Sequence, residues 1–214
     1  MRPLKAIYQT LYAYYGDLHW WPADSPFEVM VGAVLTQNTA WTNVEKAIRQ
    51  FEGELSPERV VQLSSDELEA IIRPAGFYRQ KAQYLKAVSE WFLCYDADPK
   101  RVRSCSPDAI RSELLAVRGV GNETADSILL YAFDFPAFVI DAYTIRLFQR
   151  IPLNAGNKYM EIKRFCEAQI PKDAILYNRF HALIVENAKE HCRKKPLCDD
   201  CPLANICAKQ GLPL

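Results

Sequence analysis

Apolar residues recur at helical spacing through nearly the whole chain, while the alternation that marks a half-buried strand is almost absent. That pattern restricts the fold more than any other feature. Leu4, Ile7, Tyr8, Leu11, Tyr12 and Tyr15 share one helical face, as do Val44, Ala47, Ile48 and Phe51. Ser56-Pro57 and Ser106-Pro107 place a capping hydroxyl ahead of a proline at the first helical position. Ser65, followed by Asp66 and Glu67, opens a segment that closes at Pro74-Ala75-Gly76. Further helical stretches are expected near 80–94, 107–117, 122–133, 142–150, 158–169 and 173–191. Phe135 to Ile140 is the one short strand candidate, and Pro136 weakens it. The pattern predicts an all-α protein.

The 214 residues suffice for one or two compact domains. Half are apolar and 24% are charged, which excludes a disordered chain. No apolar run is long enough for a membrane span, and the N-terminus lacks the apolar core of a signal peptide, so a cytoplasmic protein is expected. A formal net charge of zero means that any nucleic-acid surface must be local. Basic clusters stand at Arg79/Lys81, Lys100/Arg101/Arg103, Lys163/Arg164 and Arg193/Lys194/Lys195.

Four of the seven cysteines, Cys192, Cys198, Cys201 and Cys207, follow the spacing C-x5-C-x2-C-x5-C. Clustered thiolates in a cytosolic chain point to metal rather than to disulfides. Structural zinc commonly uses two separated short pairs. Here one C-x2-C is flanked by single cysteines, a pattern suited to the corners of a [4Fe–4S] cubane; zinc and free thiols are the alternatives. Cys94, Cys105 and Cys166 read as small buried hydrophobes.

Leu114 to Asp126 reads as helix, tight turn, helix. Gly119 and Gly121 flank Val120, letting backbone approach a ligand, and the new helix offers unpaired N–H groups to a phosphate. An ordinary inter-helix turn would look the same. Some twenty residues on, Asp141 follows the apolar pair Val139-Ile140 and precedes a helix. It is either a helix cap or a carboxylate that stabilises positive charge at an anomeric carbon, as in glycoside cleavage.

The glycine hairpin, the aspartate and the C-terminal cysteine cluster together resemble the helix-hairpin-helix DNA glycosylases of the endonuclease III superfamily. Gly32-Ala33-Val34-Leu35-Thr36-Gln37-Asn38-Thr39 is similar to its early helix, with Gln37 as the residue that replaces the extruded base. Gly76-Phe77-Tyr78-Arg79-Gln80-Lys81-Ala82 is similar to its G-x-Y-x-x-K-A segment. The resemblance runs from about Phe27 to Cys207. It implies a six-helix barrel carrying the hairpin (19–135) and an iron–sulfur domain built from both termini (1–18 plus 136–214), with duplex DNA passing between them. It also implies that Gln37, Lys81, Gly119, Val120, Gly121, Thr124, Arg193, Lys194 and Lys195 contact DNA, and that the protein is monomeric.

Two departures refine this. Members that also cleave the strand carry a hairpin lysine as Schiff-base nucleophile; here that position is Glu123, which cannot form an imine. The usual V-D-T-H is here Ile140-Asp141-Ala142-Tyr143. The first cysteine gap is also one residue shorter than the pattern of endonuclease III. Trp20-Trp21-Pro22, Trp41 two residues beyond Thr36-Gln37-Asn38-Thr39, and Glu123 resemble the bacterial 3-methyladenine glycosylase branch. There Trp21 and Trp41 would sandwich the flipped base, a cation that a desolvated tryptophan face attracts by roughly 1–2 kcal/mol. Without the resemblance, both tryptophans read as core. Glu123 either touches the base or complements a helix N-terminus.

The expected function is monofunctional removal of alkylated purines from duplex DNA, with Asp141 carrying hydrolysis and a [4Fe–4S] cluster held by the four cysteines. The alternatives are a uracil, mismatch or oxidised-pyrimidine glycosylase with strand-cleaving activity, and a non-catalytic DNA-binding iron–sulfur protein.

Overall fold

A computed structural model describes residues 3–151 and 153–211. These form twelve α-helices and one short 3-10 turn (Arg73–Ala75), with no strand among them. The chain divides into two compact units, Ala23–Phe135 and the joined ends Met1–Pro22 and Pro136–Leu214. Residues 19–22, expected with the barrel, therefore group with the terminal unit. No described helix is long and apolar enough to cross a membrane.

The central unit holds α2 (Pro26–Leu35), α3 (Trp41–Arg49), α4 (Pro57–Gln62), α5 (Ser65–Ile72), α6 (Tyr78–Leu93), α7 (Pro99–Arg103), α8 (Pro107–Ala116) and α9 (Asn122–Phe133). Eight of the ten α2 residues, including Met30, Val31, Val34 and Leu35, are buried. A helix apolar on every side belongs in the middle, and α2 packs there against α6 and α9. Its start is fixed by Ser25, whose hydroxyl accepts the Glu28 N–H. The expected serine caps also form: Ser56 accepts the Arg59 N–H and Ser106 the Ala109 N–H. Helix α5 opens at Ser65 as expected, and the preceding Ser64 caps it: its hydroxyl accepts the Glu67 N–H while the Glu67 carboxylate accepts the Ser64 N–H.

The terminal unit holds α1 (Pro3–Tyr15), α10 (Ala142–Arg150), α11 (Tyr159–Gln169) and α12 (Ala174–Glu190). The buried face of α12 meets α1 and α10. Phe138 sets its ring edge-on to Tyr177 and Phe180, with centroids 5.3 and 5.7 Å away. The expected short strand at 135–140 is instead a largely buried segment without regular structure. Its N–H groups find varied partners: Phe135 donates to the Leu129 carbonyl at 2.9 Å, Phe138 to the Glu167 carboxylate at 3.0 Å, and Ile140 to the Tyr159 hydroxyl at 3.4 Å. Buried backbone donors must find partners, and here the neighbours are helices rather than a sheet.

The turn that joins α8 to α9 is braced from inside. Arg111 of α8 donates to both carboxylate oxygens of Asp126 on α9 (2.9 and 3.1 Å) and to the Asn122 side chain (2.8 Å). Asp126 has no exposed surface. Removing the arginine would leave a buried anion stripped of its bidentate cation. Arg111→Met is expected to destabilise the protein by about 3–5 kcal/mol, read as a lowered urea midpoint. A change below about 1 kcal/mol would mean that the brace is dispensable.

Candidate active site and nucleic-acid interface

In the central unit, α8 ends at Ala116 and α9 begins at Asn122 with Gly121 as its cap residue. The turn closes with Val120 N–H donating to Val117 carbonyl at 3.1 Å. Gly119 has φ +85°, and a Cβ there would enter the ring of Tyr84. Only glycine fits, for backbone conformation and for space. Val120 and Thr124 are buried, whereas Gly121 and Glu123 are exposed. The first N–H groups of α9 thus begin at an open turn, with a carboxylate where a nucleophilic lysine would stand.

The half-buried Gln37, one residue beyond the α2 C-cap, reaches this turn from 82 positions earlier in the chain. Its amide donates to Gly119 carbonyl and to Thr124 Oγ1, both at 3.0 Å. Trp41, at the start of α3, is half-buried and donates its indole N–H to Glu45 at 3.0 Å. Phe77 lies in the Gly76–Ala82 segment, just before α6. It is 65% exposed on left-handed backbone, an arrangement with no benefit to the core.

Lys81, expected to contact DNA, does not face outward. It is 2% exposed, and its ammonium donates to Leu35 carbonyl and Ala75 carbonyl, each at 2.8 Å. The helical period turns position 81 inward, and the charge then caps the carbonyl ends of α2 and the 3-10 turn. It braces the segment that presents Gln37. Burial lowers the Lys81 pKa to about 8 from the ordinary 10.5. Between those values the unfolded chain holds the proton that the folded chain has released, so stability from this group rises with pH across that window and is lost as pH falls through 8. Unfolding midpoints of the wild type and Lys81→Met, compared at pH 7.5 and 10.5 (about the window edges), should differ in slope, with the rise smaller in the variant. Equal slopes would show that the buried amine titrates normally.

The other basic clusters separate by partner. Arg103 pairs with Asp134 at 2.6 Å, and the buried Lys163 pairs with Glu167. Arg193, Lys194 and Lys195 are exposed.

In the terminal unit, Asp141 is both the N-cap of α10 and a buried acid. Its Oδ1 accepts the Thr144 N–H at 2.7 Å, and its Oδ2 stands 3.5 Å from Nε2 of His181 on α12. Burial pushes the Asp141 pKa up, but His181 and the Thr144 N–H outweigh that and hold the carboxyl below its ordinary value. A carboxylate that stays ionised while 8% exposed can stabilise a nearby cation strongly, because little water screens it. The two readings of Asp141, cap and acid, are therefore compatible. Trp21 is half-buried, and its neighbour Trp20 lies under the Lys189 ammonium at 5.1 Å.

Cys192, Cys198, Cys201 and Cys207 line one pocket with Leu147, Arg150 and Leu203. Burial, and then the charge of the neighbouring cysteines, raises the Cys201 and Cys207 pKa values. Donors approach the sulfurs: Arg150 Nη1 lies 3.1 Å from Cys192 Sγ, and the Lys209 N–H lies 3.4 Å from Cys207 Sγ. Arg150 also donates to the carbonyls of Arg193 and Lys194, and Arg146 to that of Cys192 at 2.6 Å. Four cysteines lining one pocket, two of them approached by N–H donors, are a donor set whose chemistry fits a metal cluster once deprotonated. Among the described residues no three His, Cys, Asp or Glu side chains are gathered closely enough to hold a single metal ion. Of the remaining cysteines, Cys166 is buried as expected, but Cys94 is exposed and Cys105 partly so, since both lie where a helix ends at the surface.

The supports that the sequence reading missed are Arg111, Arg150 and His181. The last had a signal: a histidine in the stripe Tyr177, Phe180, His181, Ile184, Ala188, whose other members are apolar or aromatic.

Comparison with known proteins accords with this arrangement. Residues 31–172 match the family described as HhH-GPD superfamily base excision DNA repair protein. A Methanocaldococcus jannaschii protein, whose name assigns it provisionally as a DNA repair glycosylase, is 48% identical, with 94% of each chain covered. Helicobacter pylori 3-methyladenine DNA glycosylase, solved bound to 1,N6-ethenoadenine, superposes with a TM-score of 0.75 at 29% identity, covering 87% of this chain and 95% of that one. An endonuclease III in a non-covalent DNA complex superposes with a TM-score of 0.80 at 25% identity, covering 96% and 94%. The helices, the glycine hairpin and these matches lead to one conclusion: the chain belongs to the HhH-GPD superfamily of base excision DNA repair proteins.

Proposed function

We propose that the protein is a monofunctional DNA glycosylase that hydrolyses the N-glycosidic bond of an alkylated purine of the 3-methyladenine type. The observation that carries this is the buried Asp141, held by the Thr144 N–H and facing His181, in a chain whose hairpin offers Glu123 and no lysine. An N3-alkylated adenine is already cationic and departs as a neutral base. The enzyme then needs a negative charge to stabilise the developing sugar cation rather than a strong acid or an amine nucleophile. Asp141 supplies that charge. The roles assigned to Trp21 and Trp41 are aromatic contact with the flipped cationic base, and to Glu123 contact with that base, as the resemblance to the 3-methyladenine glycosylase branch implies. Likeness to the H. pylori enzyme supports the substrate class.

The remaining residues position DNA. The Gly119–Gly121 turn, with Val120 and Thr124 behind it, holds a backbone phosphate at the start of α9. Gln37 leaves its hairpin bonds to fill the vacated stack, and the exposed Phe77 is a second side chain suited to wedging between bases. Arg193, Lys194 and Lys195 meet phosphates. Duplex DNA with a damaged base is the partner, the protein works as a monomer in the cytoplasm at the nucleoid, and Cys192, Cys198, Cys201 and Cys207 hold a [4Fe–4S] cluster. Bound there, it would fix the Cys192–Cys207 loop and so the basic side chains that loop carries.

Release of free 3-methyladenine from methylated duplex is the test. Asp141→Asn is expected to lower the single-turnover rate by about 10²–10³-fold with folding intact. Borohydride should trap no covalent protein–DNA adduct. Release of uracil or mismatched thymine in place of methylated base, or a trapped adduct, would overturn the substrate or the monofunctional assignment; binding without release of any base would favour the non-catalytic alternative. For the cluster, purified protein should carry about four irons and show broad visible absorption. Cys198→Ala should lose both and melt earlier, whereas one zinc per chain would overturn the iron reading.

A further inference from the structure

The face of α12 directed into the terminal unit is built from Tyr177, Phe180, Ile184 and Ala188, yet it carries a histidine in its middle. His181 is 5% exposed. Burying an imidazole among such residues costs free energy unless a polar partner offsets it. Its Nε2 faces Oδ2 of Asp141, the carboxylate oxygen that the Thr144 N–H does not take. The two oxygens thus have separate attachments, one to the first turn of α10 and one to a side chain of α12.

We propose that His181 is a positioning residue for the reaction: its Nε2, facing Oδ2 from α12, fixes the orientation of the Asp141 carboxylate. The inference rests on the reading of Asp141 as the reacting carboxylate. The 3.5 Å separation is longer than a tight hydrogen bond, as is common in unliganded catalytic sites that draw together when substrate binds. Thr144 alone would leave the second oxygen without a fixed neighbour from another helix. The carboxylate could then rotate about its Cβ–Cγ bond and would take up a proton more readily in so buried a place. Only the ionised form can stabilise a sugar cation, so loss of His181 should act on the chemical step and leave the grip on DNA intact.

Single-turnover base release from methylated duplex, and equilibrium binding to a duplex with a tetrahydrofuran abasic analogue, separate these effects. His181→Phe is expected to slow release by about tenfold or more while binding changes by less than about threefold. His181→Gln places an amide N–H near the Nε2 position and should restore most of the rate. His181→Asn, whose amide falls a bond short, should not. If His181→Phe does not fold, the Gln and Asn variants carry the same comparison. Equal rates in the Gln and Asn variants, a His181→Phe rate within about twofold of wild type, or a loss confined to binding would overturn the proposal. Asp141→Asn, measured alongside, keeps the two readings apart: a fully active Asp141→Asn removes the reading of Asp141 itself, whereas an inactive Asp141→Asn beside an unimpaired His181→Phe removes only the role of the histidine.

Discussion

A carboxylate kept charged out of water is the constraint around which the terminal unit is organised. Burial by itself would neutralise Asp141, so its surroundings must return what hydration would have given. The Thr144 N–H and the His181 imidazole do this from two helices. The cap bond has a second effect, since it fixes where α10 begins. One side chain therefore meets α12 through His181 and, through a local bond, sets the starting register of α10.

That helix carries the constraint onward. Arg146 and Arg150, one and two turns after Asp141, reach the carbonyls of the cysteine loop, and Arg150 also reaches the Cys192 sulfur. A nine-residue helix is roughly 13 Å long. The acid at one end of α10 and the cysteine loop at the other are thus held at a spacing set by backbone geometry. In the central unit a similar logic applies to the hairpin. Arg111 clamps α9 to α8 through Asp126 and Asn122, and Gln37 ties the end of α2 to the turn. The glycine at the tightest point has no substitute because an aromatic ring occupies the space a side chain would need.

Membership of a base excision repair family gives these features a common purpose, and the chain's own residues decide how it is used. On the proposed reading, Glu123 stands at the hairpin where strand-cleaving chemistry would require an amine. The exposed Arg193, Lys194 and Lys195 concentrate positive charge locally in a chain of zero formal net charge.

The helices were legible in the residues because amphipathic periodicity and capping act within a few positions. Leu4-Ile7-Leu11, Ser56-Pro57 and Ser106-Pro107 each specify their structure locally. So were the hairpin glycines and the spacing of the cysteines, which chemistry demands whatever surrounds them. The inward turn of Lys81, the irregular rather than paired course of 135–140, the approach of His181 to Asp141 across 40 positions, and the grip of Arg150 on Cys192 across 42 were decided only in three dimensions. Each depends on which faces of distant helices meet. Packing selects those faces by the sum of many weak contacts, and no short stretch of sequence encodes that sum.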